Sequence, residues 1–400
     1  MDPTTLAAIY AVLAAFGLVV TDTYVNQNTM YLDTTVAESV KEQGYEKYVV
    51  DGIFISEVKK ITKTPTLIAV PSIQSSKTKP ISAALAEFAN LEGALVAMQS
   101  LMGIVPPKMV TSVIVEDPTK RVQVVQNGPD GRVAEYVVAE DETLKLVLTG
   151  YDPKSGYFDI QVSAHSKDDD FDHLIRDAAF QAVLKLDPYL ALLYDLNGRA
   201  VKNEDVDPSR VMIDKEINDL PGSLTHDHRA LLENLRGIMG LLDNDVVTAR
   251  ADFQKAIESD SQLSVGYLNL AFLDVHEDRY EDALKTLEKV IYPTYWPMTG
   301  NRALLASAYT IKGVAETELE RFKAAEQSFR HAAWLNPRSS EVYVYWSRML
   351  NKSARSTEAK QKMHKAKENS KYFENYPEMA LLYFWLTEEG NQPLARRTKL

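Results

Sequence analysis

The chain predicts three parts in series: a single transmembrane helix at the N-terminus, an α+β domain with an antiparallel meander, and a C-terminal all-α solenoid of about four helix-pair repeats. Three observations carry that reading. Residues 3–21 hold no charged side chain. Short β-branched runs separated by turn signals fill much of 110–162. A small–large–small triplet, Ala325, Phe329 and Ala332, returns 34 residues later as Ala359, Met363 and Ala366. The boundaries that follow are 1–31 for the anchor and its flank, 32–195 for the α+β domain and 196–227 for a linker. The repeat array takes 228–373, and a capping helix and tail take 374–400.

Length and composition set the limits. Four hundred residues exceed one ordinary core, so two or three domains are expected. The net charge of -12 disfavours nucleic acid as a partner, because phosphate binding needs concentrated Lys and Arg. With no cysteine there is no disulfide, no thiolate nucleophile and no Cys-ligated zinc or iron–sulfur site. That absence suits either side of a bacterial inner membrane.

Between Asp2 and Asp22 lie 19 uncharged residues, the length of helix that crosses a hydrocarbon core of ~30 Å. A cleaved signal peptide is the alternative, but the segment lacks a basic n-region, and Leu18-Val19-Val20 runs past the small-residue site near Gly17. A buried core helix would need a polar stripe, and none is present. Tyr24 and Tyr31 are candidates for the headgroup level. No Lys or Arg precedes the segment and the first one after it is Lys41, so the positive-inside rule has little to count. A flank free of basic residues is the easier one to translocate, which points to a single-pass bacterial inner-membrane protein with its bulk in the periplasm.

In the middle region, residues 35–61 carry Val36, Val40, Val49, Ile53, Val58 and Ile61 near helical spacing, with Gly44 and Gly52 dividing them into shorter helices. Thr66 to Val70, between Pro65 and Pro71, reads as a buried strand, and Ser72 to Pro80 as a polar loop. Residues 81–102 read as a packed helix with Ala84, Leu85, Phe88 and Leu91 on its apolar face. The period then changes to two in the runs Val110–Val115, Val122–Val125, Val133–Val138, Leu144–Leu148 and Tyr157–Val162. Turn signals such as Asn127-Gly128 and Asp130-Gly131 separate them. Helix returns over 168–186 and stops at Asp187-Pro188.

Glu42-Gln43-Gly44-Tyr45 with Val49, Val50 and Ile53, then Ile175-Arg176-Asp177-Ala178-Ala179, Leu186-Asp187-Pro188-Tyr189 and Ala191-Leu192-Leu193-Tyr194, carry a resemblance. On these short motifs the chain resembles a group of bacterial membrane-anchored tetratricopeptide-repeat (TPR) proteins with an N-terminal transmembrane helix and an α+β domain. That resemblance covers most of the chain. It implies no activity and assigns no residue a role.

The repeats themselves can be read residue by residue. The first unit has Gly237 on helix A and Ala249, Phe253 and Ala256 on helix B. The second has Tyr267, Leu270 and Ala271, then Ala283, Leu287 and Val290, with Tyr280 in the turn. Tyr309 and Gly313 precede Ala325, Phe329, Ala332 and Pro337 in the third; Tyr343, Trp346 and Ser347 precede Ala359, Met363 and Ala366 in the fourth. Small residues let helix A approach helix B, and the large residue fills the space against the next unit. This is the TPR pattern. The third unit starts 42 residues after the second, an insertion of eight that falls in Ile291–Gly300. That loop is rich in aromatics and proline, and Tyr292, Tyr295 and Trp296 are its candidate partner contacts. The alternative is a loop that tucks those rings onto a neighbouring helix. Residues 377–389 read as a helix that caps the stack, and the tail Arg396-Arg397-Thr398-Lys399 is too short to claim a ligand.

Catalytic and metal constellations are weak. His226-Asp227-His228 places two imidazoles at i and i+2, which does not make a tetrahedral site, and it sits where a helix cap belongs. Asp168, Asp169 and Asp170 with Asp172 lack the spacing of a calcium loop and suit the first turn of a helix. His165 and His173 flank that cluster without pairing. Asn127–Gly131 is a turn, not a phosphate loop. No catalytic, cofactor-binding or metal residue is assigned, and no cofactor is expected. The expected function is a membrane-anchored scaffold or adaptor, with no enzymatic activity, that binds a protein or peptide through a TPR groove. Homo-oligomerisation is a further expectation. Two alternatives stand beside it: an α+β domain that senses a ligand or catalyses and is recruited by the repeats, and a ring-forming structural membrane component.

Overall fold

The computed structural model describes residues 29–42, 44–67, 74–76, 108–116, 143–152, 156–165, 171–202, 204–219, 226–292 and 301–369. Outside them lie the apolar segment 3–21, Tyr24, the expected helix 81–102, the runs 122–125 and 133–138, Asn127–Gly131 and Asp168–Asp170. Tyr295, Trp296, the expected capping helix 377–389 and the basic tail lie outside them too. Among the described residues no helix is long and apolar enough to cross a membrane. Two compact units are present: Met1–Lys63 with Pro71–Asp187, and Thr64–Val70 with Pro188–Leu400.

The first unit is built on a mixed five-stranded sheet of order β2-β1-β3-β4-β5. Its strands are β1 (Thr29–Val36), β2 (Gln74–Ser76), β3 (Lys108–Glu116), β4 (Thr143–Asp152) and β5 (Gly156–His165). The meander holds for β3, β4 and β5, which pair antiparallel. Val113, Leu146 and Val162 stand opposite one another across the three strands, and Leu146 is wholly buried. The other half of the sheet differs from expectation. Tyr31 belongs to β1 and pairs with Ser76 and Lys108, not with a membrane flank. Both neighbours of β1 run parallel to it. Of the strand expected at Thr66 to Val70, Thr66 and Leu67 are irregular and residues 68–70 lie outside the described residues; Gln74–Ser76, read as loop, forms β2.

A parallel pair needs a crossover, and the helices after β1 provide it. They are α1 (Glu38–Lys41) and α2 (Lys47–Thr62). Gly44, at φ +92°, separates them, as its freedom at positive φ allows; Gly52 lies inside α2 without breaking it. Val50, Phe54, Val58 and Ile61 form the buried stripe of α2. It packs on α3 (Phe171–Leu186), whose Leu174, Ile175, Ala178, Ala179, Ala182 and Val183 are buried. Tyr45 stacks on Phe171 with ring centroids 4.6 Å apart. Thr34 hydrogen-bonds the buried Asp51 carboxylate, fastening β1 to α2.

The second unit is helical. Residues 196–202 and 207–219 of the stretch expected as a linker are helical, and the unit boundary falls at Asp187/Pro188. Pro188 opens α4 (Pro188–Lys202), the helical position where a missing N–H is harmless. Tyr189, Leu190, Ala191, Leu192, Leu193 and Leu196 are all buried, and the consecutive run from Tyr189 to Leu193 leaves the first turn of the helix no exposed side. In α5 (Asp207–Asp219), Ser209 Oγ donates to Asp195 Oδ2 of α4 at 2.5 Å. Arg210 pairs with Asp243, and Arg236 bridges Asp214 (3.2 Å) and Asp252 (2.8 Å). These links fix α5 to the first repeat.

Four antiparallel helix pairs follow: α6 (His226–Leu242) with α7 (Val246–Ser259), α8 (Ser264–His276) with α9 (Tyr280–Ile291), α10 (Arg302–Glu318) with α11 (Phe322–Leu335), and α12 (Ser340–Lys352) with α13 (Ser356–Asn369). Close approach explains the small residues. A Cβ on Gly237 would lie 2.5 Å from the Phe253 ring, and one on Gly313 would lie 2.8 Å from the Phe329 ring. Each A-to-B turn places one residue at positive φ: Asn244, Asp278, Glu320 and Ala354, at φ 58–61°. The N–H that follows each returns to a carbonyl five residues back, for example Arg321 N to Glu316 O at 2.8 Å and Arg355 N to Leu350 O at 2.8 Å. That is a left-handed helix termination, repeated at the same place in every pair. The unit is a TPR-like array.

Candidate interaction surface

From the second repeat onward each A helix packs on the next A helix, and each B helix packs on the following A helix. Successive B helices are not in comparable contact. The A helices therefore form the inner side of the stack, where the expected groove would run. Each presents two faces. In α8, Tyr267, Ala271 and Asp274 share the face towards helix B by helical spacing, whereas Val265, Leu268 and Phe272 lie opposite and are buried as well. In α10 Ser307, Thr310 and Thr317 are buried as well, and Thr310 and Thr317 flank Gly313 at i−3 and i+4. The hydroxyls of Thr310 and Thr317 turn back onto their own helix, donating to Ala306 O (2.7 Å) and Gly313 O (2.6 Å). Mid-helix threonines bond back to the i−4 carbonyl in this way. Along α8 and α10 these inner-side residues are buried.

The open surface lies on the edge of the third repeat, beside the insertion. Tyr292 follows α9, donates its N–H to Glu288 O at 2.9 Å and is 68% exposed. Its side chain hydrogen-bonds Tyr309 of α10, whose phenol is raised above its ordinary value first by burial and then by Tyr292. Tyr309 stacks on His331 of α11 with centroids 5.1 Å apart. The His331 Nδ1 lies 3.0 Å from Gln327 O; a carbonyl only accepts, so Nδ1 carries the proton. Arg302, two turns before Tyr309, places its guanidinium 5.3 Å from the centroid of Trp334 and donates to Trp334 O at 3.1 Å. Trp334 is 70% exposed. Tyr309–His331 and Arg302–Trp334 form two rungs between the same pair of helices, with Tyr292 beside the first.

Of the three loop aromatics singled out in the sequence, Tyr292 belongs to this edge and Tyr295 and Trp296 lie outside the described residues. Trp334, Arg302 and His331 were missed. A signal existed for Trp334: Ala325, Phe329 and Ala332 define the packed face of α11, and position 334 falls off it. His226-Asp227-His228 opens α6, and among the described residues no cluster of His, Asp and Glu is placed to hold a metal ion. His173 pairs with Asp177 at 3.1 Å on the exposed side of α3.

No protein family matches this chain, and no curated protein matches it. Among solved structures, MamA (residue 41 to the end) from Desulfovibrio magneticus RS-1 is similar at 15% identity and TM-score 0.35, over 46% of this chain and 96% of that one. MamA from AMB-1 is similar at 17% identity and TM-score 0.33, over 46% of this chain and 99% of the other. PilF of Pseudomonas aeruginosa is similar at 17% identity and TM-score 0.36, over 53% and 92%. At TM-scores this low the likeness carries no argument; the repeat assignment rests on the turns and the helix packing.

Proposed function

We propose that the protein is an interaction scaffold whose repeat array holds a protein partner on the Tyr292–Trp334 edge. It works by binding, without chemistry of its own, and residues 3–21 anchor it in a bacterial inner membrane with the bulk in the periplasm. One observation carries the binding reading: Trp334 and Tyr292 are large rings left mostly in water, next to an arginine and a second stacked pair. Aromatic residues and arginine are the side chains that anchor protein interfaces, and a rigid ring contributes contact area at little entropic cost. The exposure of these rings, against the burial of Leu268 in α8 and Thr310 in α10, supports the edge as the contact surface.

The test is recovery of crosslinked partners from native membranes, comparing the full chain with Trp334→Ala/Tyr292→Ala. Both side chains are exposed, so the double variant should unfold within about 0.5 kcal/mol of the parent while losing most of the crosslinked partner. Equal recovery from a folded variant rules out the edge. The anchor is tested by alkaline extraction: the protein should stay with the membrane pellet, and its release would remove the anchor. Protease added to spheroplasts should digest it, and full protection would reverse the orientation.

A further inference from the structure

The start of α10 holds a piece of the chain from far away in sequence. Asn301 caps the helix: its Oδ1 accepts from Ala303 N at 3.0 Å and from Leu304 N at 3.2 Å. Its Nδ2 remains, and it donates to the carbonyl oxygen of Leu67 at 2.6 Å, across 234 residues. Leu67 is 5% exposed and Thr64 7%. The backbone from Thr64 to Leu67 is neither helix nor strand, although the helix that precedes it in sequence belongs to the other unit. Pro65 cannot donate a hydrogen bond and biases Thr64 to extended backbone.

We propose that the N-terminal end of α10 is a peptide-binding site of the array, filled in the free protein by the chain's own Thr64–Leu67. A partner segment of the same chemistry, extended with a proline and a buried leucine two residues later, exchanges into it. The recognition is of the kind an extended peptide receives: a side-chain amide holds a main-chain carbonyl, and an apolar side chain is buried beside it. One asparagine both ends the helix and reads the peptide, so the site exists whether or not the segment is seated. The seating is also imperfect. Thr64 Oγ1 is buried with no hydrogen-bond partner, which weakens the bound state relative to an apolar side chain of the same shape. A permanent brace would be better served by valine there; an exchangeable ligand gains from being held loosely. The site adjoins the aromatic edge at Arg302 but does not depend on that surface binding anything.

The experiment titrates the full chain into a fluorescein-labelled peptide of residues 61–70 (Ile-Thr-Lys-Thr-Pro-Thr-Leu-Ile-Ala-Val) and follows anisotropy. The wild type, already occupied, should bind weakly. Leu67→Asp expels the internal segment and should bind at least tenfold more tightly. Adding Asn301→Asp should remove that gain, because aspartate still caps the helix and has no N–H for the carbonyl. Thr64→Val, which seats the internal segment better, should weaken peptide binding severalfold relative to wild type. A folded Leu67→Asp protein that binds no better than wild type overturns the proposal, as does a gain untouched by Asn301→Asp. Should Leu67→Asp fail to fold, hydrogen exchange on the wild type decides. Faster exchange at the Thr66 and Leu67 amides in excess unlabelled peptide supports exchange of the segment, and unchanged rates at millimolar peptide overturn it.

Discussion

At the scale of single residues, two glycines with opposite surroundings give opposite expectations. Gly313 faces the wholly buried Phe329, whose ring is itself backed by Trp346 at 6.4 Å. It has little room to retreat. Gly313→Ala should therefore destabilise by about 1–3 kcal/mol, the usual cost of overpacking. Gly198, inside α4, has nothing within 4 Å of an added Cβ, so Gly198→Ala should stabilise by about 0.5–1 kcal/mol through helix propensity alone. Urea midpoints moving in opposite directions check both. Glu341 gives a pH dependence. Burial pushes its carboxyl up to about 7, against a hydrogen bond from the Ser339 hydroxyl that acts the other way. The fold thus prefers the protonated form, and this group withdraws stability as pH rises from about 4.5 through 7. The melting temperature should fall more between pH 5 and pH 8 in the wild type than in Glu341→Gln, and parallel falls would refute the assignment.

At the scale of elements, the most regular feature of the array is one the sequence conceals. Helix-B triplets show both the period of 34 residues and the insertion of eight, and the positive-φ residues Asn244, Asp278, Glu320 and Ala354 follow the same spacing. None of the four is glycine, the residue that would have announced a left-handed turn. Asn and Asp tolerate that conformation, whereas Ala and Glu are strained in it. Ala354→Gly and Glu320→Gly should each stabilise by up to about 1 kcal/mol, with a smaller gain for Asn244→Gly, all measurable by calorimetry. The strands show the converse. β3, β4 and β5 announce themselves through alternating β-branched residues. β1 carries Asp33 in the middle of its run, and β2 is only Gln-Ser-Ser. Their parallel pairing is set by backbone and by the crossover through α2, a long-range arrangement that leaves no local period. α4 was hidden differently: its first half is an unbroken apolar run, Tyr189 to Tyr194, with no polar position to mark a helical period.

At the scale of the molecule, the carbonyl of Leu67 on Asn301 was beyond sequence reading, because one hydrogen bond between distant residues makes no pattern. The way the repeats are joined is equally illegible, and it governs how the array unfolds. A stack of this kind behaves as a row of units coupled to their neighbours. The second and third repeats share the exposed pair Arg321–Glu281 at 2.5 Å. The third and fourth share Arg355–Glu326 at 2.6 Å and Lys352–Glu318 at 2.7 Å. Such ion pairs in contact with water contribute little each. The first and second repeats share the more buried ion pair Arg250–Asp274 at 2.9 Å and also a buried amide pair, Asn269 Nδ2 donating to Asn234 Oδ1 at 2.9 Å, with both residues at most 1% exposed. Removing one partner takes a buried hydrogen bond from the other at a cost of about 1–3 kcal/mol, whereas replacing both by apolar groups restores most of it. Asn269→Leu should therefore lower the urea midpoint well below that of Glu281→Gln. The loss falls between two units rather than within one, so the transition should also broaden, with a lower m-value as the first repeat detaches early. Asn234→Leu/Asn269→Leu should recover both midpoint and steepness. A single transition of unchanged slope in Asn269→Leu would mean that the amide pair stabilises the array without coupling its first repeat to the rest.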